Sequence, residues 1–394
     1  MRVLLITDWM RLRGGVEGYV ASIREGLRAA GDEVRLMTTT AGSPAEASPD
    51  YLAYGTERLA AQALLQVVNP SAVTRLRAAL RDFRPDVAQV HMFAMHLSPA
   101  IFAPLRSVPT VLLVNDYKPV CPTSWKLLPD GSRCTEPAGL VCWQNGCTSL
   151  PHWLRDRPRY ALLRGGLRHV NRVLACSQSV RRELAVKGIG SQVLHLPVRS
   201  PEPGYRRLPA PEPLFVYCGR LSKEKGLSLL LGAFAQLRRS VPTARLRLVG
   251  EGPERPGLER LVDELGLREA VSFRGWVPPE RVGHELADSW ALVAPSLHAE
   301  PLGLVAIEAM VHGVPVIASA TGGFAETVRE GVSGLLFANG DQHALVRALE
   351  AIAQRRAFPT QRLGDEVVRR ISEAHSLERH VPRLRKIHSE VLTG

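Results

Sequence analysis

Short apolar runs alternate with longer stretches of helical period along the whole chain. VLLIT (3–7) reads as a buried strand. Val16, Tyr19, Val20, Ile23 and Leu27 then recur at helical spacing until Gly31 stops the helix. DEVRLMTT (32–39) follows as a second strand, so the chain opens as βαβ, the start of a doubly wound sheet. A polar loop is expected over 42–56, a helix over 70–83, and strands over 86–92 and 110–116. Residues 117–150 read as one long loop, and the second half of 152–172 as a helix. VLACS (173–177) and QVLHLPV (192–198) read as strands around a helix through VRRELAVKG. The proline-rich stretch SPEPGYRRLPAPEP (200–213) is the linker. Beyond it the alternation restarts. Strands LFVYCGR, ARLRLVG, AVSFRG, ALVAP and VPVIAS are separated by helices such as LSLLLGAFAQLRR and LERLVDELGL, with a short one over 279–288. A last helix covers 376–394. The expected architecture is α/β, with one doubly wound domain over 1–199 and a second over 214–375.

Composition leaves this picture in place. Hydrophobic residues make up 45% and charged residues 22%, ordinary for a globular protein. No apolar run is long enough to span a bilayer, and the first ten residues are too short a run for a signal peptide. A cytoplasmic location and reduced thiols are therefore expected. Charge adds one feature. The net charge is +12, and residues 151–200 carry ten basic residues against two acidic. That excess suits a solvated face, an anionic acceptor, or peripheral contact with an anionic membrane along the Arg-rich segment 152–172. No nucleic-acid motif accompanies it, so nucleic acid is not an expected partner.

Candidate chemistry gathers where strands end. SLHAEPLGLVAIEAMVHGVPVIASATGG (296–323) has Glu300 in a loop after one strand and Glu308 on the following helix, with Gly303 and Leu304 offering free N–H groups at the helix start. Two acceptors flanking an anion-binding helix end suit a nucleotide sugar, which has hydroxyls on both sides of a diphosphate. Three further strand ends fall in register: Gly219-Arg220 with Lys225, Gly250-Glu251-Gly252, and Gly275-Trp276. Arg and Lys five residues apart can grip a pyrophosphate. In the first half, Gly14 and Gly15 follow the first strand, His91 ends another, and Asn115-Asp116 ends a third. The Gly pair is not GxGxxG, so a nicotinamide or flavin fingerprint is absent. Cys121, Cys134, Cys142 and Cys147 sit in the long loop without a CxxC pair. They are open to a zinc, a redox-sensitive or an independent-thiol reading, while Cys176 and Cys218 read as core.

YCGRLSKEKGL, LVGEGPE, FRGWV, PSLHAEPLGLVAIEAMVHGVPVIAS and TGGFAE, in this order, resemble the nucleotide-binding half of retaining glycosyltransferase family 4. RGGVEGYV, DVAQVH and ACSQSVRREL are similar to its first half. NDYKPVCP, LLPDGSRC, Cys142 and Cys147 resemble a subgroup with a cysteine-bearing loop after an HDY-CP string. The resemblance implies a GT-B fold: two Rossmann-like domains facing each other across a cleft, the first on the acceptor side and the second binding the donor. The helix over 376–394 would pack back on the first. It implies retaining transfer of a sugar from a UDP- or GDP-linked donor, UDP ahead, to an acceptor hydroxyl, by front-face attack and without a metal or other cofactor. Arg220 and Lys225 would hold the pyrophosphate, Glu300 the transferred sugar, and Gly303-Leu304 the phosphates. Glu308 would bind the ribose, Trp276 and Val277 would lie near the base, and Gly219 and Gly252 would line the donor site. Gly14 and Gly15 would close over the phosphates. Asn115 departs from the pattern, standing where the family string has His. Asp116 and His91 are the candidates to compensate. A lipid-linked glycan, a polysaccharide or a small metabolite would serve as acceptor. Two other readings stay open: a nucleotide-sugar epimerase or hydrolase of the same fold, and a non-catalytic nucleotide-sugar-binding partner.

Overall fold

Valine, leucine and isoleucine runs that must be covered on both faces build parallel sheets, and this chain builds two. The computed structural model describes residues 1–8, 10, 15–42, 48–202 and 204–393. These divide into one unit of Met1–Asp130, Cys134–Pro197 and the C-terminal stretch from Leu377, and a second formed chiefly by Val198–Ser376.

The first unit carries β1 (Arg2–Ile6), β2 (Glu33–Thr39), β3 (Tyr51–Ala53), β4 (Val87–Val90), β5 (Thr110–Val114), β6 (Arg172–Ala175) and β7 (Gln192–Val193). They lie in the order β3-β2-β1-β4-β5-β6-β7, each neighbour parallel. The order reverses between β1 and β4, which opens a crevice at the carboxyl ends of those strands. Helix Gly15–Ala29 turns the expected apolar stripe inward: Tyr19, Val20, Ile23 and Leu27 are all buried. Helix Leu377–Thr393 lies across it, so close at Gly26 that a Cβ there would meet a Val381 methyl at 2.7 Å.

Three local readings change. The loop expected over 42–56 contains β3, whose three residues pair with the end of β2. The helix expected in the second half of 152–172 begins at Leu150 and runs through Pro158 to Leu167. The strand read over QVLHLPV keeps only Gln192 and Val193.

The second unit carries β8 (Leu214–Cys218), β9 (Arg245–Val249), β10 (Val271–Gly275), β11 (Ala291–Ala294), β12 (Val316–Ser319) and β13 (Gly334–Phe337). The order is β10-β9-β8-β11-β12-β13, again all parallel. Phe215, Leu246, Leu248 and Val293 meet Leu230, Phe234 and Leu237 of helix Leu227–Ser240 in one buried core. The reversal falls between β8 and β11, beside the strand ends that carry the candidate donor residues. Among the described residues no helix is long and apolar enough to cross a membrane.

Candidate functional site

The loops after β8 and β11 are bolted together by backbone. Leu297 N–H donates to the carbonyl of Glu224 at 2.9 Å, and Leu221 N–H ties the first of these loops to the one after β9 by donating to the carbonyl of Glu251 at 2.9 Å. Glu224 is itself buried and accepts from Ser222 Oγ at 2.6 Å. Gly252 is obligatory here, because a Cβ would stand 2.2 Å from the Leu221 carbonyl oxygen. Lys225, from the first loop, thereby meets Glu300, from the second, in an ion pair.

Glu300 is buried and its Oε1 is crowded with donors. It accepts from Lys225 Nζ, from Ser296 Oγ at 2.7 Å and from His298 Nε2 at 3.0 Å. Burial alone would push this carboxyl up. The Lys225 ammonium and His298 outweigh it and hold Glu300 well below the usual carboxylate range. The carboxylate is thus kept ionised in a desolvated place, where its hydrogen bonds are strong. His298 Nε2 also lies 3.3 Å from Lys225 Nζ, and its other ring nitrogen, Nδ1, is buried with no protein partner. Neither Ser296 nor His298 was read from the sequence as a site residue. Their spacing of two and four before Glu300 in a non-helical stretch was the available signal.

Helix Leu304–Val311 starts where Gly303 and Leu304 were expected to open it. Gly303 precedes it in the left-handed region, φ 79°, and a Cβ there would run 2.4 Å from the Phe324 ring. The unpaired N–H groups of this helix start therefore lie three residues from Glu300. Glu308, one turn along the helix, is half-buried, and burial raises its carboxyl while Arg199 partly opposes that. It lies near Cys218, whose thiol is pushed up to about 12 by burial and then by Glu308 and Glu285. Arg220 is exposed at the end of β8, its carbonyl accepting from Tyr217 Oη at 2.7 Å. Trp276 is exposed and Val277 half-buried just beyond β10. Of the sequence candidates, then, Lys225 and Glu300 touch directly, and Gly219, Arg220, Gly252, Trp276, Val277, Gly303, Leu304 and Glu308 share the carboxyl edge of this sheet.

In the first unit, Gly14 lies outside the described residues and Gly15 opens the first helix. Asp8, at the end of β1, is buried and accepts from the N–H groups of Met95, His96 and Leu97 at 2.7–2.9 Å. This fixes the loop after β4. His91 is buried against Tyr19, ring centroids 5.6 Å apart, and neither ring nitrogen has a protein partner. Burial, and then the proximity of His388 and His380, lower it to about 3, so it is neutral. Asn115 is buried with its Nδ2 lacking a protein partner. Asp116 accepts from Lys118 N–H at 2.9 Å, and burial raises its carboxyl. Lys118 is lowered to about 8 by burial and the Arg159 charge.

Cys121, Cys134, Cys142 and Cys147 gather around one small cavity as free thiols, and burial raises those of Cys142 and Cys147. Among the described residues no group of three or more His, Cys, Asp or Glu is placed to hold a metal ion. Cys176 is buried, and Cys218 only half-buried, at its strand end.

Two all-parallel sheets, each reversing its strand order beside its first strand, define the GT-B class of paired Rossmann-like units. Residues 13–198 match the family model Glycosyltransferase Family 4, and residues 203–364 match Glycosyl transferases group 1. The chain belongs with the GT-B glycosyltransferases that combine these two halves. It is 42% identical over 137 residues to the D-inositol 3-phosphate glycosyltransferase of Frankia alni, covering 32% of this chain and 33% of that protein. It is 37% identical over 143 residues to a GDP-mannose-dependent alpha-(1-6)-phosphatidylinositol monomannoside mannosyltransferase of Mycolicibacterium smegmatis, covering 35% and 37%. The matched stretches thus span about a third of each relative's length. Sucrose-phosphate synthase of Thermosynechococcus elongatus shares the fold with a TM-score of 0.78 at 24% identity, over 100% of this chain and 99% of that one.

Proposed function

We propose that the protein transfers a hexosyl group from a nucleoside-diphosphate sugar, UDP- or GDP-linked, to an acceptor hydroxyl with retention of configuration and without a metal. The observation that carries this reading is the pairing of half-buried Lys225 with buried Glu300 at the sheet edge beside the strand-order reversal. Glu300, kept ionised, accepts from hydroxyls of the sugar. Lys225 and Arg220 meet the diphosphate, and the N–H groups of Gly303 and Leu304 meet its oxygens. Glu308 accepts from the ribose hydroxyls, and Trp276 and Val277 flank the base. The C1–diphosphate bond breaks as the acceptor oxygen forms its bond to C1 on the same face. The acceptor proton passes to a diphosphate oxygen. The cations stabilise charge that develops only as the diphosphate departs, so they act on the transition state. In the first unit, the unpartnered Asn115 amide is a donor for a sugar hydroxyl, with Asp116 beside it; Gly14-Gly15 and His91 belong to the same proposed half-site. The relatives' names carry inositol phosphate and a phosphatidylinositol mannoside, which supports an anionic, hydroxyl-bearing acceptor. The family matches favour transfer over epimerisation.

The test is calorimetric titration with UDP, GDP and their hexose conjugates, then NMR of the product's anomeric configuration. Binding of one diphosphate and a retained anomer are expected. No nucleotide binding, or an inverted product, overturns the reading.

A further inference from the structure

Between β5 and the helix Leu150–Leu167 the chain runs largely irregular from Asn115 to Ser149, with a short helix at Val141–Gln144. A stretch of this length keeps its shape through a few pins rather than a core of its own. Lys126 is one such pin. It is buried, its ammonium lies 3.0 Å from the Glu183 carboxylate of helix Gln178–Val186, and it donates to the Glu136 carbonyl at 2.8 Å. Lys187 donates to the Ala138 carbonyl, and Trp153 Nε1 to that of Gly139 at 3.1 Å. Four of the chain's six cysteines fall on the same stretch, and the proposed transfer uses none of them.

Cys121, Cys134, Cys142 and Cys147 all line one cavity of about 10 Å³, barely room for one water molecule. Around so small a space the thiols act on one another. Burial and then the other three thiols raise that of Cys147; burial raises that of Cys142, with Cys121 and Cys134 adding to it. Backbone bonds hold the arrangement: Cys134 N–H donates to the Lys126 carbonyl at 2.9 Å, and Thr148 N–H to that of Cys142 at 3.1 Å. A metal ion needs several ligands converging on one point, and among the described residues these four form no such group. A disulfide needs two. Access divides the four. Cys121 and Cys142 are each 8% exposed, and Cys121 Sγ is already 3.3 Å from Thr123 Oγ1. Cys134 and Cys147 are half-buried, on either side of the helix Val141–Gln144. An oxidant arriving from solvent meets these two first.

We propose that Cys134 and Cys147 are a reversible disulfide site, oxidised by a low-molecular-weight disulfide. The Cys134 thiol gives up its proton and attacks one sulfur of that disulfide, whose S–S bond breaks and releases one thiolate. The Cys147 thiol gives up its proton and attacks the Cys134 sulfur of the mixed disulfide, releasing the second thiolate. The two protons end on the two released thiolates, so the protein loses two electrons and the small disulfide gains them. The new bond closes a loop around Val141–Gln144 and removes freedom from a stretch with little packing of its own. Asn115 and Asp116 begin that stretch. That the bond thereby adjusts the first unit's half-site rests on the transferase reading; the bond itself does not.

The full chain, reduced and desalted, is incubated with glutathione disulfide, quenched with an alkylating reagent under denaturing conditions and weighed intact. The expected product has lost two hydrogens, carries two alkyl groups fewer than the reduced chain, yields a peptide pair linked through Cys134 and Cys147, and reverts with dithiothreitol. Cys147→Ser should accumulate glutathione on Cys134 instead of closing the bond, whereas Cys121→Ser should still close it. Amide exchange across residues 134–147 should slow several-fold in the oxidised chain. Nucleotide-diphosphate affinity should be the same in both states, which separates this proposal from the donor-site reading. Complete alkylation of all six thiols after the oxidant, a bond through Cys121 or Cys142, no glutathione adduct in Cys147→Ser, or a zinc ion that travels with the purified chain and shields all four thiols overturns the proposal.

Discussion

Lowering the pH should loosen the first unit at a defined place. His388 of the C-terminal helix is fully buried, its Nε2 2.8 Å from Gln89 Oε1 of β4. Burial lowers it to about 4, Asp32 pulling it up and Arg385 pushing it down. His91 is lowered to about 3. Tyr19 Oη bonds His380 Nε2 at 2.9 Å, so the whole patch between the first helix, β4 and the last helix is polar and dry. Both histidines are neutral in the fold and titrate near 6.5 when exposed. The unfolded chain therefore binds more protons below that value. Their stabilising contribution is complete above about pH 6.5 and drains away as the pH falls toward 4 and 3. Linkage gives a loss of about 2 kcal/mol for each histidine between about pH 7 and pH 5, a large part of an ordinary domain's stability. The assay is amide exchange by mass spectrometry on Leu377–Thr393 at the two pH values, beside urea unfolding. Protection of this helix should fall first. His388→Gln, which cannot titrate, should lose about half of the pH dependence. A wild-type profile flat between the two pH values, or one equally steep in His388→Gln, refutes the reasoning.

Three further outcomes follow from the second unit. Lys225→Met leaves Glu300 buried with only Ser296 and His298, so turnover should collapse and stability fall by about 1–3 kcal/mol, read by melting and kinetics. Glu308→Gln should weaken nucleotide-diphosphate binding roughly tenfold in calorimetry, since a charge-assisted hydrogen bond is lost; an unchanged Kd removes the ribose assignment. Gly252→Ala must push the loop away from Leu221 and should cost about 1–3 kcal/mol while abolishing nucleotide binding.

Most of the fold was legible because buried parallel strands advertise themselves as unbroken apolar runs. LFVYC and the Leu230–Phe234–Leu237 stripe needed no tertiary information. β3 did not read as a strand because three residues between Gly/Ser/Pro-rich flanks carry no period, and only pairing with β2 fixes them. Pro158 hid the first half of its helix, since propensity counts against a proline that the surrounding turns accommodate. At the candidate site, Glu300 and Lys225 stood out separately as strand-end charges. Their contact joins loops 75 residues apart and depends on the Leu297–Glu224 backbone bond, which no local spacing encodes. His91 is the converse case. Its strand end was visible, whereas its cover comes from residues nearly three hundred positions later.

That late cover has a consequence for biosynthesis. Chains emerge from the ribosome N-terminus first, and domains generally fold as they appear. Here Gln89, Asp32 and Tyr19 are made early, yet their partners His388, Arg385 and His380 are translated only after the second unit. The first unit must wait, its central strands β4 and β5 and its first helix uncovered, while the second unit is synthesised. Loss of the helix Leu377–Thr393 would therefore injure the half of the protein that was made first.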